Sequence, residues 1–185
     1  EKTPYNLYYI GEILEDFPNA KFVFITRDGR DASADYLESS FGPNNIYCAS
    51  KLWRMGQKAV EPWREKLSNS QWLDIKYEDF VCDSENQVKR LCEFLGEDYS
   101  KNLLEFYQSD IAQRRGKTKD HAPLGHAISD EYIGIYKNLL SVRDQRIFSW
   151  VAGDVLSEMG YEDILEPLEL SADQVAYYDE MDGRL

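Results

Sequence analysis

Apolar side chains recur along this chain in two rhythms. Leu7, Ile10, Ile13, Leu14 and Phe17 fall at helical spacing, behind a Thr3-Pro4 opening that suits a helix start. The spacing predicts a helix stopped by Pro18-Asn19. Lys21 to Thr26 (KFVFIT) is short, apolar and β-branched, the pattern of a strand buried in a parallel sheet. A helix is predicted from about Gly29–Asp31 to about Phe41, followed by a loop at Gly42-Pro43-Asn44-Asn45.

Ile46, Ala49, Leu52, Trp53, Ala59, Val60 and Trp63 mark the apolar side of a long helix over 46–67, which Pro62 is expected to kink or break. Gln71 to Tyr77 (QWLDIKY) reads as a second strand. Asp83-Ser84 caps a helix carrying Val88, Leu91, Cys92, Phe94 and Leu95, ended by Gly96. A short helix is predicted at 100–107, and a long polar loop at 108–129. Ser141 caps a last helix through Met159. Strands alternating with helices predict a parallel sheet covered on both faces.

Composition narrows the picture. The chain has 185 residues, 43% of them hydrophobic and 14% aromatic, enough for one domain with a real core. Acidic residues outnumber basic ones 34 to 21, which argues against a partner that is nucleic acid or an anionic membrane surface. No apolar run is long enough for membrane insertion. Cys48, Cys82 and Cys92 form no CxxC pair and are expected as reduced thiols of a cytoplasmic protein. His121 and His126 have no accompanying ligand cluster, so no metal is expected. Part of the acidic excess is local. Residues 162–185 carry Glu162, Asp163, Glu166, Glu169, Asp173, Asp179, Glu180 and Asp182 against Arg184. The expectation is a domain over 1–161 and a solvated, partly disordered acidic tail over 162–185.

One junction stands out. The strand KFVFIT drives straight into Arg27, Asp28, Arg30 and Asp31 and then into a helix. The carboxyl end of a strand in an open α/β sheet is the usual ligand crevice. Helix N-termini attract anions, and an arginine there adds a planar donor fork. Arg27 is therefore read as an anion ligand, whereas Arg30 and Asp31 are read as members of a structural Arg–Asp network.

The segment "IKYEDFVCDSENQVKRLCEFLG" (75–96), with "FITRDGRDASADYL" and the opening "EKTP", closely resembles the sulfotransferases that use 3′-phosphoadenosine 5′-phosphosulfate (PAPS). "YIGIYKNLLS" followed by "EMGY" is similar to the carboxyl end of that family. The resemblance covers residues 1 to about 161 and rests on four motifs in the right order and spacing. It implies an α/β fold with a P-loop NTPase-like parallel sheet flanked by helices. It also implies transfer of a sulfuryl group from PAPS, as co-substrate, to an acceptor hydroxyl or amine. The acceptor would be a small molecule or carbohydrate, and no metal is implied. The oligomeric state is left open.

Site residues carry over with the resemblance. Arg27 is similar to the arginine that holds the 3′-phosphate. Tyr77 matches the aromatic residue of a Tyr-Glu-Asp turn beside the adenine, and reads equally well as a core tyrosine. Glu78 and Asp79 are expected to brace that turn. Arg114, Arg115, Gly116 and Lys117 resemble the basic-glycine loop that closes over the 3′-phosphate, and read otherwise as a solvated charge run. Lys137 is expected to be structural. Glu1 resembles a catalytic base, and Lys2 would lie near the transferred group.

Two departures from the family pattern bear on function. The family's amino-terminal strand, phosphate loop and helix have no counterpart here, so an N-terminally incomplete chain, inert alone, is expected. The position eight residues after Arg27, usually serine, is Asp35. Ser33 lies nearby but about 200° around a 3.6-residue helix. A nucleoside phosphate kinase of related fold and a non-catalytic, sulfotransferase-like binding domain remain as alternatives.

Overall fold

The computed structural model describes residues 1–40 and 42–183, without the side chains of Lys119 and Asp120. A 3₁₀ turn at Pro4–Tyr8 is followed by α1 (Ile10–Asp16), β1 (Phe22–Thr26), α2 (Gly29–Glu38) and α3 (Ile46–Lys66). Next come β2 (Trp72–Lys76), α4 (Tyr77–Cys82), α5 (Ser84–Leu95), a 3₁₀ stretch at Lys101–Gln108, α6 (Asp110–Arg115) and another at Lys119–Gly125. The chain continues through α7 (Tyr136–Leu139), α8 (Val142–Glu158) and α9 (Ala172–Asp182). These elements group into two compact units interleaved in sequence. The first holds Glu1–Asp16, Asp28–Lys66 and the chain from Gly134 onward, and the second holds Phe17–Arg27 and Leu67–Ile133.

The first unit is helical. Ile147, Phe148 and Ala152 of α8 are fully buried, with Ile46, Cys48 and Trp53 of α3 and Ala34 of α2 in the same core. The Trp53 and Phe148 rings meet at 5.7 Å, tilted, a favoured aromatic geometry. Gly29, the first residue of α2, lies directly on them: a Cβ there would fall 2.5 Å from both Phe148 Cζ and Trp53 Cδ2. Ser141 caps α8 as its sequence predicts, accepting from Asp144 N at 3.1 Å. Pro62 does not break α3, which runs on to Lys66. The amino-terminal helix is not continuous. The hydroxyl of Thr3 makes no cap, and the chain runs as a 3₁₀ turn before α1 begins.

The second unit contains the sheet. Among the described residues β1 and β2 pair in parallel as a two-stranded sheet, with Phe22 opposite Trp72 and Thr26 opposite Lys76. Phe22 and Phe24 stack on Trp72 at 6.1 and 6.0 Å. The expectation that both faces are covered fails for β1, where Val23 is 37% exposed and Ile25 62%. Alternation along a strand sends these two side chains to one face, and an apolar run by itself cannot say whether both faces are packed. Gly96 ends α5 in the left-handed region, at φ +82°, as predicted.

Three further expectations are corrected. Residues 108–129 are not one long loop. Ser109 caps α6 by accepting from Ala112 N at 3.2 Å, and Gln113 Nε2 ties the segment by donating to the carbonyls of Tyr107 and Gly125. Residues 172–182 are not a disordered tail but helix α9, with a complete Ser171–Gln174 capping box. Val175 and Tyr178 pack it against the core, Tyr178 lying 6.1 Å from the Tyr47 ring of α3, and polar contacts tie it to α3 and the two residues before it. Asp182 accepts from Asn44 N at 2.9 Å, the Tyr178 carbonyl accepts from Asn45 Nδ2, and Asp179 pairs with Lys51 at 3.0 Å. Finally, α2 ends at Glu38, and Phe41, its expected last residue, lies outside the described residues.

Candidate functional site

Arg27 follows the last residue of β1 and belongs to the second unit. Its guanidinium lies over the Tyr77 ring, 4.9 Å from the centroid. Its Nη2 donates to the Tyr132 carbonyl at 2.7 Å. Tyr77 is part-buried and opens α4 directly after β2, so the register that pairs Thr26 with Lys76 also brings Arg27 and Tyr77 side by side. The predicted Tyr-Glu-Asp turn is thus the first turn of a short helix, with Glu78 and Asp79 at its N-terminal end, where acidic residues are favoured. A guanidinium over an aromatic face directs its donors outward in its own plane.

Within the first unit, Asp28 caps α2 by accepting from Arg30 N at 2.9 Å. It also grips the Arg30 side chain twice, at 3.0 Å to Nε and 2.7 Å to Nη2. Burial pushes the Arg30 pKa down, but the hydrogen bond and charge of Asp28 outweigh it and the net shift is up. Arg30 further donates to the Asp163 carbonyl and lies 4.1 Å from the Tyr136 ring centroid. Asp31, 1% exposed, accepts from the backbone N–H groups of Gly134 (2.7 Å) and Tyr136 (2.9 Å). The structural Arg–Asp network expected of Arg30 and Asp31 is present. Breaking a buried pair of this kind strands an uncompensated charge.

The remaining candidates fall in diverse settings. Glu1 and Lys2 are exposed. The Thr3 hydroxyl donates to Glu1 Oε1 at 2.5 Å and is the main reason the Glu1 carboxyl titrates below its usual range. On α2, Ser33 is fully buried and Asp35 exposed, so the two point to opposite sides as their spacing requires. Arg114 and Arg115 stand exposed in the last turn of α6, with Gly116 as its C-cap and Lys117 just beyond. Arg114 Nε donates back to the Asp110 carbonyl. A Cβ on Gly116 would lie 2.7 Å from Gly125 N, so a glycine is required here by backbone packing. Lys137 pairs with Asp163 at 3.2 Å on the surface.

Sequence reasoning missed Tyr132 and the Gly134–Tyr136 backbone as partners. Both act through main-chain groups, which every residue carries, so residue type gives no signal for them. Among the described residues no three His, Cys, Asp or Glu side chains converge as metal ligands, and no helix is long and apolar enough to cross a membrane.

Comparison with known proteins bears on this arrangement. The chain is 27% identical over 182 residues to the omega-hydroxy-beta-dihydromenaquinone-9 sulfotransferase Stf3 of Mycobacterium bovis, covering 87% of this chain and 40% of that protein. It is 25% identical over 112 residues to protein-tyrosine sulfotransferase A of Caenorhabditis elegans, covering 58% of this chain and 30% of that one. It thus spans less than half the length of these curated relatives. The fold is similar to that of the sulfotransferase domain from the curacin biosynthetic pathway, with a TM-score of 0.63 at 21% identity, over 88% of this chain and 62% of that one. A family model described as "Sulfotransferase family" matches residues 1–101, which include "EKTP", the Arg27 junction and Tyr77, and on that match the chain belongs to the sulfotransferase family.

Proposed function

We propose that the protein of which this chain is part transfers a sulfuryl group from PAPS to an acceptor hydroxyl or amine. The observation that carries the reading is the Arg27–Tyr77 pair. A guanidinium over a tyrosine ring at a strand end suits an adenine nucleotide: the fork would meet a phosphate and the ring would lie beside the base. Tyr77 and Arg27 would hold PAPS, which supplies the sulfuryl group. The exposed Arg114, Arg115 and Lys117 add positive charge that a loop movement could bring to the 3′-phosphate.

Glu1 is proposed as the base that takes the acceptor's proton, and Lys2 as the group that stabilises charge on the bridging oxygen. The Thr3 hydroxyl holds the Glu1 carboxylate through a hydrogen bond at 2.5 Å. Sulfuryl transfer, like phosphoryl transfer, relies on positioning and charge stabilisation rather than on a covalent enzyme intermediate. Ser33 and Asp35 are the weakest members of the proposed set: Ser33 is shut away from solvent and Asp35 carries the wrong charge for a phosphate.

The test is turnover of labelled PAPS by the full-length protein. Glu1→Gln should cut turnover by about 10²–10⁴-fold and leave nucleotide affinity nearly intact. Near-normal turnover of the variant would move proton removal to another group. Transfer of phosphate from a nucleoside triphosphate in place of sulfate would favour the kinase alternative.

A further inference from the structure

Asp31 stands in the first turn of α2 at 1% exposure. A carboxylate taken out of water needs donors on its oxygens. The neighbouring Arg30 guanidinium is committed to Asp28. Asp31 is met instead by main chain about a hundred residues further on: Oδ2 accepts from Gly134 N at 2.7 Å and Oδ1 from Tyr136 N at 2.9 Å. One buried carboxylate thus clamps two alternate residues of a single segment.

The same segment is held again two residues earlier. The Tyr132 carbonyl accepts from Arg27 Nη2 at 2.7 Å, and the Arg27 guanidinium lies over the Tyr77 ring. The chain leaves the second unit for the first between Arg27 and Asp28, and does so again between Ile133 and Gly134. Arg27 ties the two passages together before the crossing and Asp31 ties them after it, so each hydrogen bond stays within one unit. Arg27 to Asp31, Asp31 to Gly134, Gly134 back to Tyr132 and Tyr132 to Arg27 close a ring of backbone and hydrogen bonds. Gly134 makes the bend at φ +74°, where glycine is the least strained residue. The Ile133 N–H donates to the Asp130 carbonyl at 2.9 Å. Two residues of chain reach at most about 7 Å, so anchoring Gly134 confines the Tyr132 carbonyl.

We propose that Asp31 is a positioning residue for Arg27. By clamping the Gly134 and Tyr136 amides it fixes the Tyr132 carbonyl, and with it the guanidinium over Tyr77. Asp31 is shut away from solvent and acts through Arg27, not on a ligand. The seating of Arg27 stands on these hydrogen bonds, whereas its use for a 3′-phosphate rests on the sulfotransfer reading above.

The test is a double-mutant cycle on the full-length protein. It is read by titration with adenosine 3′,5′-bisphosphate and, without nucleotide, by the Nε–Hε NMR resonance of Arg27. Asp31→Asn keeps the side-chain shape but turns an amide NH₂ toward a backbone N–H. It should shift the Arg27 resonance and weaken nucleotide binding about tenfold. In the Arg27→Ala background the same change should weaken binding by no more than about twofold, because the residue it acts through is gone. Should Asp31→Asn not fold, Gly134→Ala takes its place. A Cβ there meets nothing within 4 Å, but φ +74° strains an alanine, so the segment shifts without a clash. Its expected loss is about threefold, again only with Arg27 present. Equal losses with and without Arg27 would make Asp31 a purely structural residue and overturn the proposal. An Arg27 resonance unmoved in both variants would overturn it as well. A moved resonance, together with no nucleotide binding by the wild type, would keep the seating of Arg27 and overturn the sulfotransfer reading.

Discussion

Two short stretches of this chain both set arginines around a glycine, in opposite settings. Arg27-Asp28-Gly29-Arg30-Asp31 and Arg114-Arg115-Gly116-Lys117 each place cations around a glycine that has no room for a side chain. At the first, Arg30 and Asp31 are buried and fully engaged, and Arg27 is seated on Tyr77. At the second, the three cations are exposed at the end of a short helix. The glycines differ in the same way: Gly29 abuts buried rings of the core, and Gly116 abuts the backbone of Gly125. A cation fixed by its neighbours pays little ordering entropy when it meets a ligand, whereas an exposed one must be immobilised first. On the proposed reading the first stretch would supply affinity, and the second at most closure or long-range attraction.

The largest effect should come from removing the fixed cation. A charge-assisted contact of this kind is worth about 1.5–3 kcal/mol. Arg27→Ala is thus expected to weaken adenosine 3′,5′-bisphosphate binding by roughly ten- to a hundred-fold, read by calorimetric titration of the full-length protein. An unchanged affinity would erase the distinction between the two stretches.

Next comes the glycine of the first stretch. Gly29→Ala forces a Cβ into Trp53 and Phe148 and should destabilise the fold by about 1–3 kcal/mol, the range for overpacked cores. Chemical denaturation measures this, and wild-type stability would mean that α2 can shift at little cost.

The combined change Arg114→Ala, Arg115→Ala and Lys117→Ala should lower affinity less than Arg27→Ala does alone, by about threefold or less in 0.15 M salt, where exposed charges are largely screened. A larger loss than that of Arg27→Ala would show that the second stretch closes on the nucleotide and carries the affinity. Smallest of all should be Asp35→Ser. The side chain is exposed, so removing its charge should tighten nucleotide binding by no more than about threefold. A gain of tenfold or more would place Asp35 against the phosphate.

The local grammar of the chain was legible without a structure. The Ser141 cap, the Gly96 stop, both strands and the strand-to-helix junction follow from side-chain spacing and capping chemistry, which act over a few residues; α5 begins at Ser84 as expected, but Asp83 makes no side-chain cap there. The acidic carboxyl end was not legible. Its charge predicts disorder, but Ser171 and Gln174 close a capping box and Asp179 and Asp182 find Lys51 and Asn44. Those partners lie far away in sequence. Residues 108–129 were misread for a related reason: the Gly116–Gly125 approach and the Gln113 bonds organise them, and neither has a local pattern.

The candidate site divides along the same line. The sequence by itself determined that an arginine follows the first strand, that Asp28 and Asp31 come after it, and that a Glu-Lys-Thr-Pro opening precedes it, because identity and spacing are written in the chain. Only the tertiary structure decided that Arg27 lies on Tyr77, that Arg30 is spent on Asp28, and that Asp31 holds the Gly134–Tyr136 backbone. The physical reason is that strand register sets one of these contacts and main-chain groups another. Register depends on the pairing of segments some fifty residues apart, and backbone N–H and C=O groups look the same at almost every position.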